Sequence, residues 1–215
     1  MSNNVIMRTF LSATILCFAI ISGWANAETL YEQPLKSRIS GGASSQYPIG
    51  NLTLDNFTLT HDAIITDLQW YGCHSTFPGE ITQFEISFWS DNAGLPGDRL
   101  HTYTIIGNAA EQHISTFLNY YGYSYSVTLP TPFCVTGEES YWLSIQPTMD
   151  FPPQWYWPIG TGGDNQCVQF RDNSYLQSVG WDCPFELMGI IVPEPTTITT
   201  LLGMAIVGMI AWRRN

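Results

Sequence analysis

The chain is short of positive charge. Among its 215 residues it has 7 lysines and arginines against 18 aspartates and glutamates. Only four of the basic residues lie between residues 28 and 192, beside seventeen of the acids, so this body has a formal charge of −13. Nucleic-acid binding requires a basic face, and the charge balance excludes that class of function. Bare anionic polymers are also poor partners unless a divalent cation bridges the two negative surfaces.

Recognisable catalytic motifs are missing as well. The sequence has no Gly-x-Ser-x-Gly elbow, no phosphate-binding loop and no His-Glu-x-x-His motif, and its four histidines are scattered. Glu138 and Glu139 are adjacent, so on a strand they would point to opposite faces and could not flank one glycosidic bond. We therefore predict that the protein is not an enzyme. A glycan hydrolase whose carboxylates come from distant strands stays open as an alternative.

The body also lacks the 3.6-residue periodicity of amphipathic helices, and alternation with a period of two recurs instead. The clearest alternating runs are 64–71, 84–89, 121–129 and 141–146. Loops rich in Gly, Pro, Asn and Asp separate these runs. About ten short strands at this spacing predict an all-β domain over residues 28–191, built as an antiparallel β-sandwich and open to a jelly-roll arrangement.

Two places in this pattern predict irregular strands. Leu52 and Leu54 are out of phase with Phe57, which predicts a turn or bulge at 55–56. Gly189 interrupts the closing strand and predicts a second bulge there. Both irregularities would turn apolar side chains back towards a single core.

The first 27 residues have the order of a secretory signal peptide. Arg8 supplies a positive charge, about a dozen apolar residues follow, and Ala25 and Ala27 fit the −3 and −1 positions of a signal peptidase site. The apolar run is shorter than the ~20 residues that span a bilayer. We therefore predict cleavage before Glu28, with signal peptidase as a partner and residues 28–191 as an exported domain.

Residues 192–215 form a second targeting segment. Residues 198–212 carry no charge and reach the lower limit of a transmembrane helix. Arg213 and Arg214 follow directly, so the positive-inside rule predicts that the tail end faces the cytoplasm and the body lies outside. A buried core helix fits poorly because the run is apolar on all sides. The segment is therefore predicted to hold the precursor in the membrane.

This segment resembles the PEP-CTERM sorting signal of exported Gram-negative proteins. The resemblance rests on Val192, Pro193, Glu194 and Pro195, then about fifteen apolar residues, then Arg213 and Arg214. It implies that a membrane-embedded exosortase recognises the tail of an inner-membrane-anchored precursor whose body is in the periplasm. The helix would then be removed, and the body released or attached at the cell surface or in extracellular polysaccharide.

The body is similar to a recurrent β domain of PEP-CTERM proteins. The similarity rests on short runs at 55–59, 64–72, 88–91, 94–97 and 141–145. That domain has no activity to carry over to individual residues here. The resemblance therefore supports the predicted fold and localisation and leaves the biochemical function open.

Four cysteines lie in the body, namely Cys73, Cys134, Cys167 and Cys183. An even number in an exported protein favours two disulfides, and four cysteines allow three pairings. We favour Cys73–Cys134 and Cys167–Cys183, because the second pair brackets a predicted hairpin. The sequence does not decide between the pairings. No CxxC spacing occurs, which argues against a zinc site.

Aromatic residues are the first candidates for ligand binding. Trp155 and Trp157 would project from the same face of one strand, and Trp89 is out of phase with the core face of its own strand. Exposed rings of this kind stack on the CH-rich faces of sugars. The alternative is that the rings cap the core, where aromatic side chains contribute most of their burial energy.

A loop offers oxygen ligands for calcium, the one cofactor that the sequence suggests. Asp91, Asn92 and Asp98 supply them, with glycines that permit tight turns. The spacing is not that of an EF-hand. Capping of the turn by the Asx side chains is the commoner explanation for such residues.

The leading hypothesis is a non-enzymatic protein of the cell surface or extracellular matrix, sorted by an exosortase-type system. The first rival is a carbohydrate-binding module associated with extracellular polysaccharide, and the second is a glycan-active hydrolase. Exposure of Trp155 and Trp157 would support the carbohydrate platform at that cluster, whereas burial would assign both rings to the core.

Overall fold

The computed structural model describes residues 27–172 and 174–193. Thirteen strands form in this part of the chain, and they are, in order, β1 (Glu28–Gln33), β2 (Gly42–Ser44), β3 (Asn51–Thr58), β4 (Ala63–Ser75), β5 (Ile81–Asp91), β6 (Pro96–Ile106), β7 (Gln112–Phe117), β8 (Tyr120–Val135), β9 (Ser140–Met149), β10 (Trp155–Pro158), β11 (Val168–Arg171), β12 (Ser174–Ser178) and β13 (Phe185–Ile191).

Two antiparallel sheets pack face to face. The seven-stranded sheet is built around β4, which pairs with β8 along one edge and with β13 and β10 along the other. Strands β1, β2 and β7 extend it outwards from β13, β10 and β8. The six-stranded sheet has the order β12-β11-β3-β9-β5-β6. The predicted all-β antiparallel sandwich is confirmed.

Aromatic rings fill the space between the sheets. Trp70 of β4 stacks on Tyr125 of β8 with 5.5 Å between ring centroids, and Phe84 of β5 meets both rings edge-on at 5.1 Å. The fully buried side chains of this core also include Phe57, Phe88, Trp155, Trp157 and Phe185. Aromatic contacts with offset and edge-to-face geometry therefore join the two sheets.

Strand β3 is regular, and the predicted turn or bulge at 55–56 is wrong. Its pairing with β9 and with β11 shows no register shift. Leu52 and Leu54 face the outer side of the six-stranded sheet, where they pack with Trp142 and Val168 in a second, smaller apolar cluster. Phe57 faces the main core. The apolar residues of β3 change from one parity to the other because both faces of this strand are covered by apolar side chains.

The closing strand confirms the other predicted irregularity. The register between β13 and β4 shifts between Met188 and Gly189. A Cβ atom on Gly189 would lie 2.0 Å from the Ile64 carbonyl oxygen, so only glycine permits this close approach.

The body ends beside the start of β4. Ile191 pairs with Ala63, and the Val192 amide donates to the Asp62 carbonyl at 2.8 Å. Pro193 is the last described residue, so Glu194, Pro195, Arg213, Arg214 and the predicted spanning segment lie outside the described residues. Among the residues that are described, no helix is long and apolar enough to cross a membrane.

Strand β1 begins at Glu28, the residue predicted to follow signal cleavage. Glu28 pairs with Gly189 of β13, and Ala27 is the first described residue. Ala25 and the rest of the predicted signal peptide lie outside the described residues. The signal peptide and its cleavage site stay predictions, and the first strand of the described residues begins at Glu28.

Candidate functional site

The two tryptophans of β10 are core residues, and the prediction of a sugar platform at Trp155 and Trp157 is wrong. Both side chains are 0% exposed. Trp155 Nε1 donates to the Tyr125 hydroxyl at 3.4 Å, and Trp157 Nε1 donates to the Pro184 carbonyl at 3.2 Å. Strand β10 pairs with β4 and with β2, and both of its rings belong to the core between the two sheets. No sugar reaches them there.

Trp89 lies on the other side of the six-stranded sheet and is half-buried. Its Nε1 donates to the Ser144 hydroxyl at 3.0 Å. The Arg99 guanidinium lies 4.4 Å from the ring centroid, within the range of a cation–π contact. Arg99 also donates to Glu85 Oε1 at 3.0 Å, and both side chains are more than a third exposed. Neighbours on β5, β6 and β9 thus fix the ring in place while part of it stays accessible.

A groove runs across the outer face at this point. It has a volume of about 160 Å³, and its walls are formed by Leu52, Leu54, Trp89, Pro96, Gly97 and Phe170. These residues come from β3, β5, β6 and β11, four of the six strands of the sheet. Trp142 of β9 lies in the same apolar cluster and is fully buried. We call this feature the Trp89 groove.

A buried hydrogen bond links the outer apolar cluster to the turn that follows Trp89. Trp142 Nε1 donates to Asp91 Oδ1 at 2.8 Å, which ties the buried ring to the start of the β5–β6 hairpin. That hairpin carries Pro96 and Gly97, the two groove residues of β6. The groove is therefore built on paired strands and a capped turn, which hold its rings in position without a ligand.

Sequence reasoning identified Trp89 and missed its partners. Phe170, Arg99 and the two leucines of β3 come together from strands that are far apart in the chain. One signal was available, namely the phase of Leu52 and Leu54, which were interpreted as a bulge and in fact mark a second apolar surface.

The proposed calcium loop is a self-capped turn. Asp91 Oδ1 accepts from Trp142, and its Oδ2 accepts from the Gly94 amide at 3.0 Å. The Asn92 amide donates to the Leu95 carbonyl at 2.7 Å, and the Asp98 amide donates to the Ser90 hydroxyl at 2.9 Å. The geometry therefore assigns Asp91 to turn capping, the alternative explanation, and does not support the calcium interpretation.

The favoured pairing of Cys73 with Cys134 is wrong. Cys134 lies opposite Ile64 on β4, whereas Cys73 lies opposite Gly122, nine residues further along the same strand. At about 3.3 Å per residue the two cysteines are roughly 30 Å apart. A disulfide requires Cα atoms within about 7 Å, so this bridge cannot form. Burial raises the pKa of the Cys73 thiol to about 12, which makes it unreactive.

Cys167 and Cys183 are neighbours, as the hairpin argument predicted. Their sulfur atoms are 3.0 Å apart as two thiols, and both residues are fully buried. The Cys167 amide donates to the Trp181 carbonyl at 3.2 Å, and the Val179 amide donates to the Cys167 carbonyl at 3.0 Å. The two segments are therefore held together by backbone bonds around the sulfur pair. The disulfide itself stays a prediction.

A buried carboxyl group lies beside this cysteine pair. Asp55 is 0% exposed and accepts hydrogen bonds from the Cys183 and Asn56 amides. The Gln33 amide, with its NH₂ group towards Asp55 Oδ2 at 2.7 Å, accepts from the Tyr31 hydroxyl at 2.9 Å. Burial raises the pKa of Asp55 well above its ordinary value, the Cys183 amide opposes this shift, and nearby Asp182 adds to it.

One histidine is part of a second buried polar group. His74 is 0% exposed, and its Nε2 lies 3.9 Å from Glu111 Oε2. The ring of Tyr123 stands edge-on to His74 and to His113, with centroids 5.3 and 5.4 Å away. Within residues 27–172 and 174–193, no three His, Cys, Asp or Glu side chains converge as a metal-binding group. The sequence did not indicate this cluster.

Comparisons with known proteins concern mainly the tail. Residues 192–215 match the PEP-CTERM protein-sorting motif. The match identifies a C-terminal signal of exported proteins that an exosortase-type enzyme processes. No match was found among curated proteins.

One similar solved structure contains the cysteine protease and lectin-like domains of Cwp84, a surface layer associated protein of Clostridium difficile. The identity is 9% and the TM-score is 0.38, over 65% of this chain and 32% of that one. The chain thus spans about a third of the length of that protein.

Proposed function

We propose that this member of the PEP-CTERM family of exported proteins is a non-enzymatic component of the cell surface or extracellular matrix. The observation that carries the proposal is the sorting motif at 192–215, which begins directly after the last strand of the sandwich. Export and exosortase-type processing follow from the motif. The surface or matrix destination and the non-enzymatic role are the proposed part.

The boundary between body and tail is compatible with removal of the tail after export. The last strand ends at Ile191, and Val192 makes the final backbone bond to the body through Asp62. A cut beyond Pro193 would remove none of the thirteen described strands, since all of them precede it. The mature product would therefore keep the whole sandwich.

Fractionation of the producing cells tests the proposal. The full chain is compared with a chain that ends at Val192 and with a variant in which Pro193, Glu194 and Pro195 are alanine. We expect the full chain at the surface or in the matrix, and both altered chains displaced from it. Identical distributions for all three chains would contradict the sorting claim, since only the tail differs between them.

A second function is supported by the Trp89 groove, namely binding of neutral polysaccharide. A half-buried tryptophan, a phenylalanine and a proline line the groove, and the ion pair of Arg99 and Glu85 beside the tryptophan adds exposed polar groups next to it. Sugars present apolar CH faces and a rim of hydroxyls, which this combination complements. The formal charge of −13 on the body disfavours anionic glycans and so selects the neutral class.

Binding to immobilised neutral polysaccharides tests this second function. We expect Trp89→Ala to weaken binding at least about tenfold, because aromatic anchors dominate such interfaces. Phe77→Ala is the matched control: Phe77 is 43% exposed, lies outside the Trp89 groove and should leave binding unchanged. Equal binding by wild type and Trp89→Ala would refute the site. Turnover of any glycan in the same assay would overturn the non-enzymatic role.

A further inference from the structure

Strand β6 forms an edge of the six-stranded sheet. It pairs with β5 along one side, and within the described residues no strand pairs with its other side. The register with β5 shifts between Phe88 and Trp89, so a bulge separates Arg99 and Leu100 from the regular segment that follows. That segment, residues 101–106, presents a row of outward backbone N–H and C=O groups, which is a template for a further strand.

The side chains of this edge lack the usual protection against pairing. Residues 100–107 contain no Lys, Arg, Asp or Glu, in a body with a formal charge of −13. Natural edges are normally blocked by charged side chains, prolines, bulges or a covering loop, and the bulge of β6 lies before residues 101–106 and leaves their pairing with β5 regular. Here Leu100 is 47% exposed and Ile106 is 78% exposed, and Thr102 and Thr104 are exposed between them. An acidic protein is least repelled by its own kind at such a charge-free edge.

The sequence of the segment is nearly symmetric about Tyr103. The neighbours on both sides are threonines, followed by His101 on one side and Ile105 on the other. In an antiparallel pair of identical strands related by a two-fold axis at Tyr103, Thr102 lies opposite Thr104 of the second copy. His101 then lies opposite Ile105 of that copy. Thr–Thr pairs directly opposite each other are favourable in sheets, and this register brings no like charges together.

We propose that β6 is a self-association edge, which pairs antiparallel with β6 of a second copy of this chain. The two six-stranded sheets would then form one continuous sheet across an isologous two-fold interface. Tyr103 does not obstruct the axis, because its side chain faces the core and its hydroxyl donates to the Thr131 carbonyl at 2.8 Å. The proposal does not depend on carbohydrate binding.

Charge exchange at the two threonines tests the pairing. Thr102→Lys with Thr104→Lys places lysine opposite lysine twice across the axis, whereas Thr102→Lys with Thr104→Glu places lysine opposite glutamate twice. Both double variants add two charged side chains at the same exposed positions, so each controls for the other. We expect the Lys/Lys variant to dissociate at least about tenfold more readily than wild type, and the Lys/Glu variant to remain paired.

The measurement is sedimentation of the full chain in detergent, with circular dichroism to show that each variant is folded. A complex with a dissociation constant below about 100 µM would assemble at that chain concentration. A wild-type chain that stays monomeric up to about 100 µM would therefore overturn the proposal. Equal association of the two double variants would also overturn the proposal. The chains would then associate through another surface, such as the tail, and not through β6.

A cysteine pair tests the register. Chains that carry Thr102→Cys are mixed with chains that carry Thr104→Cys and are then oxidised. We expect cross-linked dimers in the mixture and about tenfold fewer from either chain alone, because only residues 102 and 104 are directly opposite. Equal cross-linking in all three samples would refute the two-fold at Tyr103.

Discussion

Two pairs of tryptophans, one between the sheets and one on the outer face of the six-stranded sheet, differ in exposure. Trp155 and Trp157 lie between the sheets, 0% exposed, and donate their ring N–H groups to buried oxygens. On the outer face of the six-stranded sheet, Trp142 is also 0% exposed while Trp89 stays half-buried beside a groove. The comparison teaches that the dense aromatic cluster of β10 belongs to the core, whereas the partly accessible ring lies at the border of the smaller outer cluster.

The size of the apolar cluster explains the difference. The inner face combines side chains from both sheets, so any ring that enters it is covered from two sides. The outer cluster has only three fully buried members, namely Leu54, Trp142 and Val168. A cluster of that size cannot cover every ring at its border, and Trp89 is left partly open to solvent.

The largest expected effect comes from deleting an inner ring. Trp155→Ala should lower the free energy of unfolding by about 3–5 kcal/mol, because it removes a large buried side chain and leaves a cavity. The ring packs so closely on β4 that a Cβ atom on Gly72 would lie 2.3 Å from it. Urea unfolding followed by circular dichroism measures the change. A loss of unfolding free energy below about 1 kcal/mol would show that the inner ring contributes no more to stability than a surface residue does.

The period-two pattern predicted which residues share a face, and that part of the fold was confirmed. Phe84, Ile86 and Phe88 all point into the core, as their alternation indicated. Alternation does not say whether the opposite face is also covered. That depends on strands distant in sequence, and for this reason Leu54 and Trp142 were not recognised as a second buried surface.

The same limit explains the outcome for the candidate site. Trp155 and Trp157 were correctly placed on one face, but their exposure depended on whether the opposing sheet covers that face of β10. The Cys73–Cys134 pairing failed for a related reason, because the register of β4 and β8 cannot be deduced from the spacing of two cysteines. Cys167 and Cys183 do lie together, because they flank a single local hairpin.

The cysteine pair should have the next largest effect. In an oxidising compartment, each of the two thiols should lose one hydrogen to a disulfide oxidant and form a Cys167–Cys183 bond. A loop of this length should gain about 3 kcal/mol of stability. Peptide mapping of the exported chain identifies the bond, and unfolding with and without reductant measures its contribution.

Cys73→Ala is the matched control, because Cys73 is also fully buried and has no part in the predicted bond. It should leave the effect of reductant unchanged. The Cys167→Ala and Cys183→Ala double variant should abolish that effect. Equal destabilisation of wild type, Cys73→Ala and the double variant by reductant would show that the Cys167–Cys183 bond does not cause the effect.

Asp55 provides a smaller effect that depends on pH. It faces the core from the same strand whose Leu54 faces outwards, and burial raises the pKa of its carboxyl group. The folded state therefore holds this proton at pH values where the unfolded state, with its pKa of about 4, has released it. Stability should fall as the pH rises from about 4 towards the raised folded-state value, with a slope of up to about 1.4 kcal/mol per pH unit.

Asp55→Asn should remove this slope. Unfolding free energies of wild type and variant, measured from about pH 4 to pH 8, should converge or cross as the pH rises. Parallel curves for the two proteins would contradict the assignment, since they would show that Asp55 ionises alike in the folded and unfolded states.

The smallest expected effect on stability is at Trp89, and it makes the comparison of inner and outer rings sharpest. Trp89→Ala should cost less than about 1.5 kcal/mol, because the ring is only half-buried at the border of the outer cluster and its polar contacts are an exposed arginine and one hydrogen bond to Ser144. The same substitution is expected to lose polysaccharide binding. A ring that contributes little to folding and much to binding is a ligand contact, whereas a loss as large as that of Trp155→Ala would make Trp89 a core residue and leave the groove without an anchor.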